Sequence, residues 1–371
     1  MLEGVLDNSY SVAVQSPAGT YKVRIEPGLL TRLGSIQTPA STLHIIITDA
    51  NVKSLYGESL EKSFRDAGRR VLLMDFPPGE DHKTIATASD LYDRILPAGV
   101  ERSSLVIALG GGLVGDLAGF VAATLLRGVP FLQVPTTLLA MVDASVGGKT
   151  GVNHAVGKNL IGAFHQPREV MIDPAVLKTL PADELRGGLA ECIKHEIIRD
   201  AEGFTELEKT IDSALAVDVP YLAKLVAHNV AIKAAVVAAD PFEHGERAHL
   251  NFGHTFGHAI ETLSDYRYSH GQSVALGMVA ASRLATRLKM LDADSRDRII
   301  ALIRKAGLPT GGLELATQSV LDAMLFDKKV KDRRVRFILP DRIGHVVIRD
   351  NVPADMVKSA VESLRSRDSP Q

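Results

Sequence analysis

The chain has 371 residues, which suggests two domains at about 150 residues per domain. Lys and Arg number 42 and Asp and Glu 44, so the net charge is −2 and no overall basic field exists to hold nucleic acid. A composition of 46% hydrophobic and 23% charged residues excludes a disordered, fibrous or collagen-like chain. The single cysteine, Cys192, excludes an internal disulfide framework and a cysteine-based zinc site. The N-terminal sequence lacks the basic start of a secretory signal, so we expect a cytoplasmic protein.

The first half of the sequence alternates short β-rich segments with helical patterns. Two strand-like segments, YSVAV and YKVRIE, predict a hairpin at a sheet edge. They are followed by LHIIIT (43–48), a helix through Phe64, VLLMDF (71–76), a helix through Leu96 and SLVIAL (104–109). Strands that alternate with helices predict βαβ units, and therefore an α/β domain with a mostly parallel, Rossmann-like sheet.

One stretch, residues 104–126, has the length of a membrane span and a single charge, Asp116. Five glycines interrupt it, and a carboxylate at the centre of a bilayer costs about 2.5 to 3.5 kcal/mol. We therefore predict a buried strand, a glycine turn and a helix here, and no membrane partner.

The second half of the sequence has a different pattern. From Asp183 onward the periodicity is helical, as in LAKLVAHNVAIKAAVVAA (222–239), with few strand candidates before VRFILP. This change predicts an α/β domain over residues 1–182 and an all-helical domain over 183–371. Small-molecule sites favour crevices between domains and the carboxyl ends of parallel strands, so we expect the active site in the cleft between the two domains.

Two glycine-rich segments are candidates for binding anions. GGGLVGD (110–116) follows a predicted strand and leads into a helix, where backbone N–H groups can approach a pyrophosphate. Its spacing does not match G-x-G-x-x-G, and a tight turn explains it equally well. GGKT (147–150) is not a Walker motif, because Asp143 stands at the position of the first glycine. Lys149 and Lys158 in this glycine-rich loop favour oxyanion binding over solvated surface lysines.

A helix and a histidine cluster are candidates for a metal site. ELRGGLAECIKHEI places Glu191 three and four residues before Lys194 and His195, so they share one helix face. An exposed, salt-bridged face would give the same pattern.

The histidines that could complete a metal site with Glu191 lie later in the sequence. LNFGHTFGHAIE carries His254 and His258, four residues apart, and His270 follows. Thr255 stands where a zinc protease would have Glu, so protease chemistry is not indicated. Three His and one Glu are sufficient for a His/carboxylate metal site with an open coordination position.

Together, several segments closely resemble the 3-dehydroquinate synthase family of sugar-phosphate cyclases. They are GGGLVGDLAGFVAAT, RGVPFLQVPTTLLAMVDASVGGKTGVN, GKNLIGAFHQP, LAECIKH and LNFGHTFGHAIE, and the resemblance runs in order from about Asp49 to about Pro340. It implies an NAD- and zinc-dependent lyase, with Co²⁺ as the alternative metal. Its reaction would convert 3-deoxy-D-arabino-heptulosonate 7-phosphate into 3-dehydroquinate and phosphate, in the shikimate pathway of aromatic amino-acid biosynthesis. It also implies a homodimer in which Arg127 reaches the neighbouring subunit's site.

The resemblance implies three sets of site residues. The metal ligands are Glu191, His254 and His270, which leaves His258 as a substrate-phosphate or proton-relay residue. The NAD-binding set is Asp49, Asn51, Glu80, Lys83, Gly111, Gly112, Leu113, Asp116, Thr136, Thr137, Lys149, Lys158, Thr179 and Glu184. The catalytic and substrate-binding set is Arg127, Asp143, Lys149, Asn159, Lys194, Lys233, Glu243, Arg247, Asn251, His258 and a lysine of DKK, Lys328 or Lys329. The chain departs from the family pattern at Gln272, where Glu is common, and in DPFEHGER, which replaces the commoner D-E-x-E.

Three other functions share part of this pattern. A cyclase acting on sedoheptulose 7-phosphate or a metal-dependent polyol dehydrogenase would use the same NAD and metal sites. A non-catalytic NAD-binding regulator would not need the metal ligands. Lys233 and Arg247 resemble the family's carboxylate-binding positions, and this favours the heptulosonate phosphate over the sugar without a carboxylate.

Overall fold

A computed structural model of the chain describes residues 2–5, 8–35, 42–242, 245–265, 267–326 and 335–366. Three predicted substrate residues, Glu243, Lys328 and Lys329, lie outside the described residues. The chain divides into two compact units, one from Met1–Leu180 with Val219–Pro241, the other from Pro181–Asp218 with Phe242–Gln371.

The first unit contains a large, mostly parallel sheet, as predicted. Its strands are β1 (Leu2–Val5), β2 (Ser9–Ser16), β3 (Gly19–Ile25), β4 (His44–Asp49), β5 (Val71–Phe76), β6 (Leu105–Gly110), β7 (Phe131–Pro135), β8 (Lys149–His154), β9 (Gly157–Phe164) and β10 (Glu169–Ile172). Among the described residues, eight strands form one sheet in the order β1-β2-β3-β10-β7-β6-β4-β5. The pairs from β3 to β5 are parallel, whereas β1-β2 and β2-β3 are antiparallel. The predicted edge hairpin is therefore β2-β3, extended by β1.

Helices connect and cover these strands and build most of the second unit. They are α1 (Leu29–Arg32), α2 (Ala50–Val52), α3 (Glu58–Asp66), α4 (Ile85–Ile95), α5 (Gly112–Thr124), α6 (Ala182–Arg199), α7 (Ala201–Leu215), α8 (Val219–Ala239), α9 (His254–Leu263), α10 (His270–Arg287), α11 (Ala293–Lys305), α12 (Thr317–Phe326) and α13 (Ala354–Ser363). The second unit also contains an antiparallel hairpin of β11 (Phe337–Arg342) and β12 (His345–Arg349).

The membrane-like stretch is a strand, a turn and a helix, as predicted. Every residue of β6 is buried, as is typical of a parallel strand covered on both faces. The glycines of α5 allow the helix to lie close to its neighbours. A Cβ atom on Gly115 would lie 2.6 Å from the side chain of Gln133, and one on Gly119 would lie 2.5 Å from Thr150.

Helix α8 is the described helix that is long and apolar enough to cross a membrane by length and composition. It packs against β2, and 61% of its most apolar 18-residue stretch is buried. The sequence-based division assigned it to the second domain, whereas it belongs to the first unit. A helix that is apolar on most sides must be buried, and the face of β2 provides that cover.

The second unit is mainly helical, with one departure from the all-helical prediction. The segment VRFILP, the strand candidate, enters β11, which pairs with β12 and packs on α10. Phe337 of β11 also contacts Phe256 of α9, with ring centroids 5.5 Å apart. The hairpin covers apolar helix surface that would otherwise face solvent.

The lysine-rich segment predicted as a loop is the antiparallel hairpin β8-β9. Two facing glycines permit the close approach of its strands. A Cβ atom on Gly151 would lie 2.7 Å from the carbonyl oxygen of Ile161, and one on Gly162 would lie 2.2 Å from that of Thr150. The glycines interpreted as loop flexibility therefore serve close strand packing.

Candidate functional site

Three side chains from separate helices of the second unit converge on one point. Glu191 lies on α6, and His254 and His270 open α9 and α10. The Nε2 atoms of His254 and His270 each lie 3.6 Å from Oε1 of Glu191. One ligand atom from each residue lies within 4.8 Å of the others, a spacing that suits a metal ion.

Glycines set how closely the helices carrying these ligands approach. A Cβ atom on Gly271 would lie 2.3 Å from Cα of Gly187, so α6 and α10 touch backbone to backbone at this pair. A Cβ atom on Gly277 would lie 1.9 Å from the carbonyl oxygen of Gly253, which brings α10 equally close to the start of α9. This close packing places His270 beside Glu191.

Each ligand is held from its far side by a second group. Nδ1 of His254 lies 3.2 Å from the carbonyl oxygen of Phe252, and Nδ1 of His270 lies 3.3 Å from Oε2 of Glu261. Because carbonyl and carboxylate oxygens accept hydrogen bonds, both Nδ1 atoms donate and both Nε2 atoms face Glu191. The other oxygen of Glu191, Oε2, accepts from the buried ammonium of Lys194.

Glu261 is a site residue that the sequence analysis missed. It is buried on α9, three residues after His258 and seven after His254. That spacing puts all three on one helix face, so the i, i+4, i+7 pattern in HTFGHAIE was the available signal.

The charged groups of the cluster shift one another's pKa values. Burial raises the pKa of Glu191, but the Lys194 ammonium, with His270 and His254, outweighs it and holds the pKa well below its usual range. Burial, assisted by Lys194, lowers the pKa of His254 well below its ordinary value, so this ring is neutral. Burial opposes protonation of His270, but the Glu191 and Glu261 carboxylates raise its pKa to about 10.

The residues present fit a divalent metal ion. Oε1 of Glu191 is buried and faces Nε2 of both histidines at 3.6 Å, beyond hydrogen-bond distance, so an ion bound by all three would satisfy it. An imidazole pair with one carboxylate is the donor set of zinc sites with an open coordination position.

The other predicted residues of the second unit surround or flank this cluster. Glu191, Lys194 and His195 are buried, so the alternative of an exposed salt-bridged face is wrong. The His258 ring stands at 86° to that of His254, with centroids 5.3 Å apart. Arg247 is buried and Asn251 is half-buried in the 3-10 segment Glu246–Asn251, whereas Glu184 is exposed on α6.

In the first unit, the predicted cofactor residues collect at one edge of the sheet. Asp49 ends β4, Gly111 follows β6, Thr136 follows β7, and Glu80 lies in the loop after β5. These four strands are parallel neighbours, so their carboxyl ends lie side by side. This is the edge at which α/β sheets bind nucleotides.

The turn into α5 fits a pyrophosphate. Gly111 is the N-cap of this 13-residue helix, and among the described side chains none caps it. The backbone N–H groups of its first turn therefore point toward any anion placed there. A Cβ atom on Gly111 would lie 3.2 Å from Thr137, and the buried Oγ1 of Thr136 has no hydrogen-bond partner among the described residues. These features fit the NAD assignment.

Lys83, a buried lysine from the predicted NAD-binding set, contacts two other predicted residues. Nζ of Lys83 donates to Oδ2 of Asp116 and, over 2.6 Å, to Oδ1 of Asn159. Burial raises the pKa of Asp116 above its usual value, although the Lys83 ammonium opposes that shift. Lys158 lies on the same hairpin, with Nζ 4.0 Å from Oε1 of Glu80.

A second ion pair lies on α8. Nζ of Lys233 lies 2.6 Å from Oδ1 of Asp143, in the π-helical segment Ala140–Ala144. Lys233 was predicted within the helical domain, and its place in the first unit follows from that of α8.

The remaining predicted residues of the first unit lie at or near its surface. Arg127 is exposed and takes a left-handed φ of 67°, and the hydroxyl of Thr179 lies 2.6 Å from that of Tyr56. Asn51 and Lys149 are exposed, and Gly112 and Leu113 are half-buried in the first turn of α5.

Comparison with known proteins identifies the family. Residues 73–187 match the family described as 3-dehydroquinate synthase N-terminal, and residues 188–330 match 3-dehydroquinate synthase C-terminal. The chain is 45% identical over 361 residues to a 3-dehydroquinate synthase of Nostoc punctiforme, covering 95% of this chain and 99% of the relative.

Solved structures agree with this assignment. A 2-deoxy-scyllo-inosose synthase complexed with carbaglucose-6-phosphate, NAD⁺ and Co²⁺ has a TM-score of 0.89 and 25% identity, covering 95% of this chain and 99% of that one. A 2-epi-5-epi-valiolone synthase from Streptomyces hygroscopicus subsp. jinggangensis with NAD⁺ and Zn²⁺ bound has a TM-score of 0.86 and 30% identity, covering 94% and 97%. The resemblance seen in the sequence is thus confirmed, and the chain belongs to the 3-dehydroquinate synthase family.

Proposed function

We propose that this protein catalyses the 3-dehydroquinate synthase reaction, the conversion of 3-deoxy-D-arabino-heptulosonate 7-phosphate to 3-dehydroquinate and phosphate, as a lyase of the shikimate pathway. The observation that carries the proposal is the convergence of Glu191, His254 and His270 in a member of this family. The three come from separate helices, and binding one ion gives them a common purpose.

The proposal includes NAD and a divalent ion, Zn²⁺ or Co²⁺. Related cyclases bind NAD⁺ together with one of these ions. In this chain Glu191, His254 and His270 would hold the metal, and the edge formed by Asp49, Glu80 and the turn into α5 would hold NAD. When bound, the metal supplies Lewis-acid polarisation of a hydroxyl or ketone, and NAD supplies a reversible hydride acceptor.

The chain's own groups would bind the charged substrate and handle its protons. A substrate with a phosphate and a carboxylate needs cations, which Lys149, Lys194 and Arg247 can supply in a chain of net charge −2. Lys194 also holds Oε2 of Glu191, which leaves Oε1 for the metal. We assign to His258, whose ring centroid lies 5.3 Å from that of His254, the binding of phosphate or the relay of a proton. Oxidation of a substrate hydroxyl makes the neighbouring proton acidic, and the leaving phosphate can take up that proton itself.

A sedoheptulose 7-phosphate cyclase is the nearest alternative, and buried cations distinguish it. Arg247 and Lys233 are 3% and 6% exposed, so a substrate carboxylate bound there would be largely removed from water. We use Arg247 for the test. Sedoheptulose 7-phosphate has no carboxylate, and removing one partner of a buried charge pair costs about 2 to 5 kcal/mol. We expect Arg247→Ala to erase most of the preference for the heptulosonate phosphate.

Phosphate release from candidate sugar phosphates, with added NAD and zinc, tests the proposed function. We expect release from the heptulosonate phosphate, far slower release from sedoheptulose 7-phosphate, and no net NADH. NADH accumulating in step with product would favour the polyol dehydrogenase. Equal release from both sugars, or an equal slowing of both by Arg247→Ala, would overturn the substrate assignment.

We also propose that the protein is a cytoplasmic homodimer. Among the described residues, β9 belongs to a two-stranded sheet with β8 and carries two exposed apolar side chains, Leu160 and Phe164, the latter 55% exposed. Apolar groups on an open strand edge are typical of surfaces that another chain covers. The single buried cysteine is compatible with a reducing compartment.

A further inference from the structure

The predicted cofactor and substrate residues of the first unit are joined by an asparagine that neither set contains. Asn153 lies in β8, next to the turn that leads into β9. Its Nδ2 donates to Oε1 of Glu80 over 2.8 Å, and its Oδ1 accepts the backbone N–H of Asn159 over 2.9 Å. One amide therefore contacts a residue assigned to NAD and a residue assigned to the substrate.

The backbone of Asn153 fixes the same junction. Its N–H donates to the carbonyl oxygen of Lys83 over 2.7 Å, which pins the hairpin to the loop that carries Glu80 and Lys83. Lys83 in turn reaches Oδ1 of Asn159, so Asn159 is held at its backbone by Asn153 and at its side chain by Lys83. Asn159 has a left-handed φ of 54°, a conformation that such contacts can stabilise.

We propose that Asn153 is a positioning residue that couples the NAD-binding loop at Glu80 to the substrate-binding hairpin at Asn159. The proposal rests on the proposed function, because that function gives Glu80 and Asn159 their roles. An amide suits this place since it donates at one end and accepts at the other. Glu80, as a carboxylate, can only accept, and the N–H of Asn159 can only donate.

This polarity makes the two halves of the bridge separable by mutation. Asn153→Asp retains the acceptor for the N–H of Asn159 but turns a second carboxylate oxygen toward Glu80. Asn153→Ala removes both contacts. Glu80→Gln, combined with Asn153→Asp, restores a donor and acceptor pair with reversed direction.

The experiment measures NAD affinity of the zinc-loaded full chain by calorimetry, and the KM for the heptulosonate phosphate. We expect Asn153→Asp to weaken NAD binding about tenfold or more, because a charged hydrogen bond becomes a repulsion, with KM nearly unchanged. Asn153→Ala should weaken NAD binding about tenfold and raise KM as well. The double variant, Glu80→Gln with Asn153→Asp, should bind NAD at least about threefold more tightly than the product of the losses in Glu80→Gln alone and Asn153→Asp alone predicts.

Gln15→Glu is the matched control, because it adds the same charge at an exposed site on β2 of the eight-stranded sheet, outside the β8-β9 hairpin that carries Asn153. Zinc content and circular dichroism report folding, and Asn153→Ala carries the test alone if Asn153→Asp does not fold. If the losses of NAD affinity in Glu80→Gln and Asn153→Asp are simply additive in the double variant, or if Asn153→Ala binds NAD as tightly as the wild type, the inference is overturned. Failure of the wild-type chain to bind NAD would instead overturn the proposed function.

Discussion

Glu261 decides which nitrogen of His270 faces Glu191. Its carboxylate accepts from Nδ1, which leaves Nε2 as the donor atom directed at the cluster. His254 obtains the same orientation from the carbonyl oxygen of Phe252, a neutral group. Groups that orient metal-binding histidines in this way typically contribute 10- to 100-fold to metal affinity. Of the two, the carboxylate can be removed by mutation.

We expect Glu261→Ala to weaken zinc binding by about 10- to 100-fold, because His270 loses the group that orients it. Glu261→Gln should lose less zinc affinity, since its amide oxygen can still accept a hydrogen bond from Nδ1 of His270 although it carries no negative charge. Competition with a chelating dye measures both affinities. The control is Glu206→Gln, an exposed carboxylate on α7 of the same unit. Wild-type zinc affinity in Glu261→Ala would show that the ring is held by other contacts.

Metal binding should be linked to the protonation of His270. The carboxylates of Glu191 and Glu261 raise its pKa to about 10, so the metal-free ring is protonated near neutral pH. A metal ligand must be neutral, so we expect roughly one proton to be released per zinc at about pH 7.5, and zinc affinity to rise with pH. In the metal-free protein, protonated His270 contributes to the free energy of unfolding. This contribution is present in full below about pH 6.5 and is lost as pH rises toward 10.

Proton release is measured with an indicator dye in weak buffer, and zinc affinity is measured between about pH 6 and pH 9. Glu261→Gln is the informative comparison, because its His270 should hold the proton less tightly and release less. Zinc uptake by the wild-type chain without proton release would mean that His270 is neutral before the metal arrives.

The position of the proposed metal ligands depends on two helices that meet at glycines. Contact between α6 and α10 at Gly187 and Gly271 sets the distance between Glu191 and His270. The two glycines are not equivalent. A Cβ atom on Gly271 would lie 2.3 Å from the opposing backbone, whereas one on Gly187 has its nearest neighbour at 3.9 Å.

We therefore expect opposite results from two similar substitutions. Gly271→Ala should lower the free energy of unfolding by about 1 to 3 kcal/mol, because the helices must separate, and zinc affinity should fall with it. Gly187→Ala should be neutral or stabilising by up to about 1 kcal/mol, since Ala favours helix over Gly. Urea unfolding and zinc competition measure the two effects. Equal losses in both variants would show that the crossing does not control the site.

At the scale of the whole molecule, the proposed homodimer can be tested through Arg127. This exposed residue was predicted to act in the neighbouring subunit's site, whereas Lys194 is proposed to act in its own subunit's site. Coexpression of Arg127→Ala with Lys194→Ala should restore activity, because each mixed dimer contains one site with neither substitution. With random pairing we expect about a quarter of wild-type activity, and each variant alone should be nearly inactive. Phosphate release from the coexpressed protein measures this, and an inactive mixture would place Arg127 in its own subunit's site.

The family, the parallel sheet and the strand, turn and helix of residues 104–126 could be predicted from the amino-acid sequence. These rest on local signals, namely alternating apolar segments, glycines at turns and ordered motifs. Because the three metal candidates, Glu191, His254 and His270, came from such motifs, they could be named before any fold was known. The expected crevice between the two domains stays a prediction.

The groups that support those residues and the position of α8 depend on contacts between distant parts of the chain. Glu261 and Asn153 contact partners 9 and 73 residues away. Helical spacing places Glu261 on the same face as His254 and His258, but it does not reveal the contact with His270. The apolar pattern of α8 required burial but could not indicate which surface would cover it, and β2, about 200 positions earlier in the chain, provides that surface. The lysine-rich segment became a hairpin for the same reason, because the close contact of its glycines exists only once the strands have paired.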